Sequence, residues 1–351
     1  EENNDVEVFL LNKVFIKNAN YKISKLNKLL ISFVFLTKYY FYLNFSFLLR
    51  LYFKKIINDK KFDIWHFQSV NYKTLIYVEV LKQLNQKVVV TLQGADIQID
   101  YEINYGYRLD KKYDKFIQKV FKKVDSFHAI SSSIFNELTE MGVNENKITI
   151  IPNCSPIEKI KSLPQKKEEI FTILTIGRYA IKKKGFDLVE KVARELDKIT
   201  NFKWIIIGRD TKKLLENDYI KNNLEKFEIL NQINNEDEVY FPNSKLIEYY
   251  KKSNVYANLA RVEGSPIVLI DAIASNLPIV SFDTRGGDEL VLNGNNGFVI
   301  KNFNFVEYAE KIYLLKEFKI DVNNTNIKKH LETFDLALNT KKIITCYKSL
   351  L

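Results

Sequence analysis

The chain has 351 residues, 46% of them apolar and 27% charged, with a net charge of +10 and only two cysteines, Cys154 and Cys346. That length exceeds one comfortable core and suits two domains of about 150 residues each; the cysteine count excludes a disulfide-framed scaffold. His66, His128 and His330 are too scattered for a zinc site, and the charge excess is lysine spread along the chain without an arginine-rich arm, so nucleic acid is not the expected partner.

In chain order, Val6 to Leu11 reads as a strand, but the first glycine is Gly94, so no Gly-rich turn follows it. The expectation is that a first strand-loop-helix unit is missing. Lys22 to Asn58 reads as two aromatic, lysine-studded helices that could pack on a sheet or lie on an anionic membrane. The longest uncharged stretch there, Tyr39 to Leu49, is well short of the ~20 residues that cross a bilayer, so the chain is not expected to be integral to one. Strand-like runs follow at Phe62 to Phe67 and Lys87 to Leu92, with a helix near Thr74 to Gln83 between them. Helix Arg108 to Val124 carries Ile117, Val120, Phe121 and Val124 on one face and Lys111, Lys112, Lys115, Lys119, Lys122 and Lys123 away from it. Asp125 to Ser131 and Ile148 to Ile151 complete the strands of a first domain, residues 1–155. Residues 156–169, with Pro156, Pro164 and several lysines, read as a linker.

The second domain, residues 170–335, opens with the buried-strand run Phe171 to Ile176, then Gly177-Arg178, then Lys182-Lys183-Lys184-Gly185 and a helix to Ile199. Trp204 to Asp210 is another strand and turn. Glu228 to Tyr240 has too poor a pattern to assign. Val255 to Leu259 delivers the loop Arg261-Val262-Glu263-Gly264-Ser265-Pro266, which becomes an apolar helix at Ile267 and leaves through Pro278 into a strand. A loop feeding a helix N-terminus presents unpaired amides and the positive end of a dipole, which suits an anionic group such as a phosphate. Glu263 and Asp271, eight residues apart, can face one cleft from different depths. Arg178, Arg209, Arg261 and Arg285, four of only seven arginines, lie just past apolar runs, where open α/β sheets bind ligands and where a rigid guanidinium fork has a use that lysine lacks. The last segment, residues 336–351, reads as a helix.

The stretch from Glu263 to Asp271 resembles the E-x7-E signature of retaining glycosyltransferases with two facing Rossmann-like domains (GT-B architecture, family 4), with Asp271 where the second Glu usually stands. Gly177-Arg178 with the lysine triplet resembles that family's G-R-x-x-x-x-K-G. Asp63 to His66 resembles its D-x-x-H, and Thr91 to Asp96 its T-x-H-G-x-D with Gln93 in place of His. Gly142 to Cys154 resembles G-V-x-x-x-K-I-x-V-I-P-N-G with Cys154 for Gly, and Arg285 to Leu290 resembles G-G-x-x-E-h.

The resemblance implies an α/β fold of two Rossmann-like domains across a cleft, with a C-terminal helix crossing back to the first. It implies transfer of a sugar from a nucleotide-diphosphate sugar, the only co-substrate, to a saccharide or lipid-linked acceptor, at a cytoplasmic site that could be peripheral to a membrane. Arg178 and Lys184, with Lys183 as the alternative, would take the diphosphate; Gly177, Arg209, Gly264, Ser265, Pro266 and Ile267 would line the donor. Glu263 would hold the sugar and Asp271 the ribose, both acids being free for that purpose. His66, Gln93, Gly94 and Asp96 would contact sugar or acceptor; Gln93 can hydrogen-bond but not titrate there. No Asp-x-Asp pair is present, so no metal or other cofactor is expected. A same-fold phosphorylase or epimerase, or a non-catalytic protein binding a polyanion or membrane, are the alternatives.

Overall fold

The computed structural model describes residues 46–60, 62–234, 241–284, 286–318 and 320–351. The expected strand at Val6 to Leu11, the first of the two aromatic helices, the missing N-terminal unit and Arg285 lie outside the described residues.

Helix α1 (Ser46–Lys60) precedes four strands, β1 (Ile64–Phe67), β2 (Lys87–Leu92), β3 (Ser126–Ala129) and β4 (Ile148–Ile150), which pair in that order, all parallel. Between them run α2 (Tyr72–Gln83), α3 (Lys111–Phe121) and α4 (Ser132–Glu140). Local signals set their starts. Asn71 accepts from the amides of Lys73 and Thr74 while the Thr74 hydroxyl accepts from the Asn71 amide, a capping box that begins α2. Asp110 caps α3 by accepting from Lys112 and Tyr113, so that helix starts at Lys111 and not at Arg108. Its apolar face, Tyr113, Phe116, Ile117, Val120 and Phe121, is buried in the first core, and the six expected lysines are exposed on the other side. Two of them, Lys119 and Lys123, pair with Glu79.

The stretch expected as an open linker contains a short helix, α5 (Ile157–Ser162), whose Ile157 and Ile160 pack into the second domain. Two buried isoleucines three apart make one helical turn worth forming despite Pro156, which sits at its N-cap.

The second sheet has six parallel strands in the order β10-β9-β8-β5-β6-β7: β5 (Thr172–Ile176), β6 (Lys203–Ile207), β7 (Phe227–Leu230), β8 (Val255–Asn258), β9 (Ile279–Phe282) and β10 (Gly297–Ile300). Its strands are near-continuous apolar runs because both faces are covered. Ile173, Trp204, Ile206 and Val255 face α7 (Val189–Asp197) and α11 (Phe305–Glu317). Leu174, Ile205, Ile207 and Tyr256 face α5, α9 (Ser244–Lys252), α10 (Ile267–Ala274) and α12 (Thr325–Glu332). Two short helices, α6 (Ile181–Lys184) and α8 (Asp218–Lys221), lie in connections.

The chain winds outward from β5 through β6 to β7, then returns to β8 on the other side of β5. The strand order therefore reverses between β5 and β8, and open α/β sheets bind ligands in the crevice beyond the strand ends at such a reversal. Helix α13 (Leu336–Lys348) crosses back to the first domain, where the Cys346 thiol lies 3.6 Å from the Thr149 hydroxyl and Tyr347 meets His66. No helix among the described residues is long and apolar enough to cross a membrane.

Candidate active site

The two strands flanking the reversal deliver the two halves of the site. Beyond β5 come Gly177, Arg178 and α6; beyond β8 comes the loop Arg261 to Pro266, leading into α10. The halves are stitched together. The Arg261 amide donates to the Lys183 carbonyl at 2.9 Å, and its guanidinium donates to the Lys182 carbonyl at 2.7 Å and to both oxygens of Asp187 at 2.8 and 2.9 Å. The fork of Arg261 is thus used, as expected of an arginine at a strand end, but on a carboxylate of its own domain. Gly185, at φ +68°, permits the crossing: a Cβ there would lie 1.9 Å from the Leu259 carbonyl oxygen.

Across this stitch Lys184 Nζ meets Glu263 Oε1 at 2.5 Å, both side chains largely buried. Lys183 turns the other way, to the Tyr105 hydroxyl of the first domain at 2.9 Å. Arg178 is exposed, and its charge acts on both Lys183 and Tyr105, as does that of Glu263, so the four groups are neighbours. Burial lowers the Lys183 pKa, opposed by the Glu263 charge. Arg209 is exposed beyond β6, 3.9 Å from Asp210, and its carbonyl accepts from the Tyr179 amide beside the same crevice. Pro266 caps α10, and Ile267 begins it. Gly264 touches the first domain: a Cβ there would lie 2.9 Å from the Gln93 carbonyl and 3.0 Å from Ile130. The Ser265 carbonyl accepts from the Asn153 side chain at 2.9 Å.

Four of the expected site residues are held by partners within the protein. Asp271 is not free in the cleft: it is fully buried, its carboxylate accepting from Ser155 at the end of the first domain and from Tyr250 at 3.5 Å. Burial raises its pKa to about 7, partly opposed by those two hydrogen bonds. Residue 271 lies on α10 within the run Leu269 to Ala274, every residue of which is buried, so no face of the helix there is open to solvent. Glu263 likewise is not free, being held by Lys184. Asp96 and His66 face inward. Asp96 accepts from the amides of Gln93, Gly94 and Val70 and from the Ser69 hydroxyl, at 2.9 to 3.3 Å, so it shapes the turn that presents the exposed Gln93. His66 is wedged between Tyr347 of α13, 2.5 Å from Nδ1, and Thr91, 2.7 Å from Nε2. Burial first, and His128 beside it second, drop its pKa to about 3.

Three contacts were not read in advance, although Glu289 stands in the stretch resembling G-G-x-x-E-h. Gln98 donates to the Glu263 backbone carbonyl at 3.2 Å, Tyr105 holds Lys183, and Glu289 accepts from the first amides of α4, Ser132 and Ser133, at 3.1 and 3.0 Å. Each joins the two domains. A cavity of about 250 Å³ lies on the other side of the signature loop, between Ser131, Pro152, Ser265, Gly286, His330 and Lys342. Neither Arg178 nor Lys184 lines it.

Two parallel α/β domains, with a strand-order reversal in the second that is flanked by an arginine, a paired lysine and acid, and a loop entering a helix, define a two-domain open α/β architecture with its polar groups at the strand ends. The profile of "Glycosyl transferases group 1" matches residues 156–329 and that of "Glycosyltransferase Family 4" matches residues 15–159. The chain belongs to this glycosyltransferase family, with the GT-B fold. It is 28% identical over 265 residues to an uncharacterized glycosyltransferase of Methanocaldococcus jannaschii, covering 70% of this chain and 62% of that one. It is 28% identical over 222 residues to a capsular polysaccharide biosynthesis glycosyltransferase of Staphylococcus aureus, covering 59% and 58%. The chain thus spans somewhat under two thirds of the length of these relatives. The fold superposes on the pneumococcal O-GlcNAc transferase GtfA, solved with UDP and GlcNAc, with a TM-score of 0.66 at 17% identity, covering 86% of this chain and 60% of that one.

Proposed function

We propose that the protein is a retaining glycosyltransferase that moves a sugar from a nucleoside-diphosphate sugar to a saccharide or lipid-linked saccharide acceptor in cell-envelope polysaccharide assembly. The observation that carries the reading is the convergence of Arg178, Lys184 and Glu263 from either side of the strand-order reversal, opposite the first domain. A leaving diphosphate gathers negative charge as its bond to the anomeric carbon breaks. A guanidinium and an ammonium already in place stabilise that charge more than they stabilise the bound donor, which is what accelerates the step.

The electron pair of the breaking bond leaves on the phosphate oxygen. The acceptor oxygen then joins the anomeric carbon on the same face, and its proton passes to the departing phosphate. Lys184 turns from Glu263 to the phosphate as the donor enters, and this releases the Glu263 carboxylate to hold the sugar. Gln93, exposed on the turn that Asp96 ties down, faces the sugar or acceptor from the first domain. With Asp271 enclosed, the ribose rests on the backbone at the start of α10. The roles of Arg178 and Lys184 require no metal. The relative in capsular polysaccharide biosynthesis supports the polysaccharide setting, and the superposed transferase with UDP supports a nucleotide donor. The exposed lysines of α3 suit an anionic, cytoplasm-facing membrane surface that carries a lipid-linked acceptor.

The test is a thermal-shift panel of UDP-, GDP- and ADP-sugars. A ligand that binds only the folded protein raises its melting temperature, so one nucleotide series should raise it in a concentration-dependent way. A panel with no response from any series would overturn the reading.

A further inference from the structure

The lysine triplet after β5 does not act as one patch. Lys182 is 65% exposed, 3.4 Å from Asp187; Lys184 pairs with Glu263; Lys183 reaches out of its own domain. Its Nζ lies 2.9 Å from the Tyr105 hydroxyl and 4.4 Å from the centre of that ring. Tyr105 belongs to no motif, yet its placement is rigid. Asp100 and Tyr105 exchange backbone hydrogen bonds of 2.9 and 2.8 Å, which close a tight hairpin whose last turn residue, Asn104, has φ +53°. Behind it Gly106 sits at φ +107°, where a Cβ would be 1.9 Å from the Gln98 carbonyl, and the Tyr107 amide donates to the Ala95 carbonyl at 2.8 Å. Both ends of the hairpin are therefore tied to the turn that carries Gly94.

The same turn explains where the phenol points. A Cβ on Gly94 would lie 3.2 Å from the Tyr105 hydroxyl and 2.9 Å from Gln98 Oε1, so the glycine leaves the room both groups occupy. Gln98 is fully buried and donates to the Glu263 backbone, which sets the hairpin against the signature loop. Glu263, Asp96 and Arg178 are the charges that act on the phenol, and burial with the two carboxylates keeps it protonated. Its oxygen can thus only accept from the Lys183 ammonium, while its own proton remains available to a ligand.

We propose that Tyr105 is a positioning residue that aims Lys183 into the crevice, so that Lys183 joins Lys184 and Arg178 in gripping the outer phosphate of a nucleoside diphosphate when the domains are closed. The proposal rests on the function proposed above. It divides the triplet by role: Lys184 for the acid and phosphate, Lys183 for the cross-domain grip, Lys182 for solvent. It also makes the first domain a contributor to donor binding through a residue outside the family signatures.

The experiment is calorimetric titration with UDP, GDP and ADP and with the three monophosphates. Tyr105→Phe keeps the ring and should weaken the preferred diphosphate about tenfold, the scale of one hydrogen bond to a charged group, while changing the monophosphate less than about twofold. Lys183→Met should show the same selective loss, and the double variant should bind no more weakly than Lys183→Met alone, since the hydroxyl acts only through the ammonium. Lys183→Arg, which still donates to the phenol, should restore most of the diphosphate affinity. Equal diphosphate affinity in wild type and Tyr105→Phe, or losses that add in the double variant, would overturn the proposal and leave the proposed function standing. A wild-type protein that takes none of the three diphosphates would overturn both.

Discussion

The two domains meet the crevice on different terms. In the second domain Arg178 beyond β5 and Glu263 beyond β8, the latter paired with Lys184, face it, while Arg261 and Asp271 are taken up by partners within the fold. In the first domain the standout acid and histidine face away. Asp96 is spent on four donors of its own turn and His66 on the crossing helix, while Gln98 and Tyr105, which carry no pattern, do the reaching. The difference follows from how each is built. The second domain places its residues at strand ends flanking a reversal, where the sheet itself leaves a crevice. The first domain must project a hairpin across a gap, and the acids and histidines near its strand ends are needed to hold that hairpin and helix in place.

The sharpest way to break this contrast is to remove a residue from each side. Arg178→Ala should cost about 2 to 4 kcal/mol of transition-state stabilisation, read as a fall in kcat/KM, with melting temperature unchanged because the side chain is exposed. Asp96→Ala should do the reverse. It leaves three backbone amides and a hydroxyl without their acceptor, and should lower stability by about 3 kcal/mol in denaturant titration; an effect below about 1 kcal/mol would return Asp96 to the ligand side.

Titration sharpens the comparison further. Asp271 has a folded pKa raised to about 7, above its ordinary carboxylate value, so the folded state resists losing that proton. Its contribution therefore turns against folding as pH climbs from about 4 to 7, at up to roughly 1.4 kcal/mol per pH unit, and is level above that. Asp271→Asn, which cannot ionise, should gain on wild type across that window and hold the gain at pH 8. Parallel stability curves would mean the carboxylate is solvated.

His66 moves the other way. With its folded pKa depressed to about 3, the unfolded chain takes up a proton that the folded one refuses, so stability is lost as pH falls from about 6.5 toward 3. His128, depressed to about 4 by burial, adds to the same loss, and a His66→Phe variant should show a shallower acid limb. The smallest effect belongs to Tyr347→Phe, which removes one hydrogen bond between α13 and the first domain and should cost about 1 kcal/mol. The same change made in a His66→Phe background should cost nothing further.

Local pattern was enough for much of this protein. Apolar runs ending in Gly-Arg, and the strand-loop-helix passage from Val255 through Pro266, announced parallel strands with an anion-ready helix start, because strand burial and helix capping are written in neighbouring residues. The last helix was legible for the same reason. Where side chains turn was another matter. Asp271 is enclosed by hydrogen bonds from Ser155 and Tyr250, which lie 116 and 21 residues away in sequence. The short helix at Ile157 hides in a proline- and lysine-rich stretch because only the second sheet, once assembled, supplies the apolar surface that makes it form. Tyr105 and Lys183 are 78 positions apart, on different domains. Sequence periodicity encodes which residues can be buried; which distant partner satisfies a given polar group is settled only when the domains close and each buried donor and acceptor must find its match.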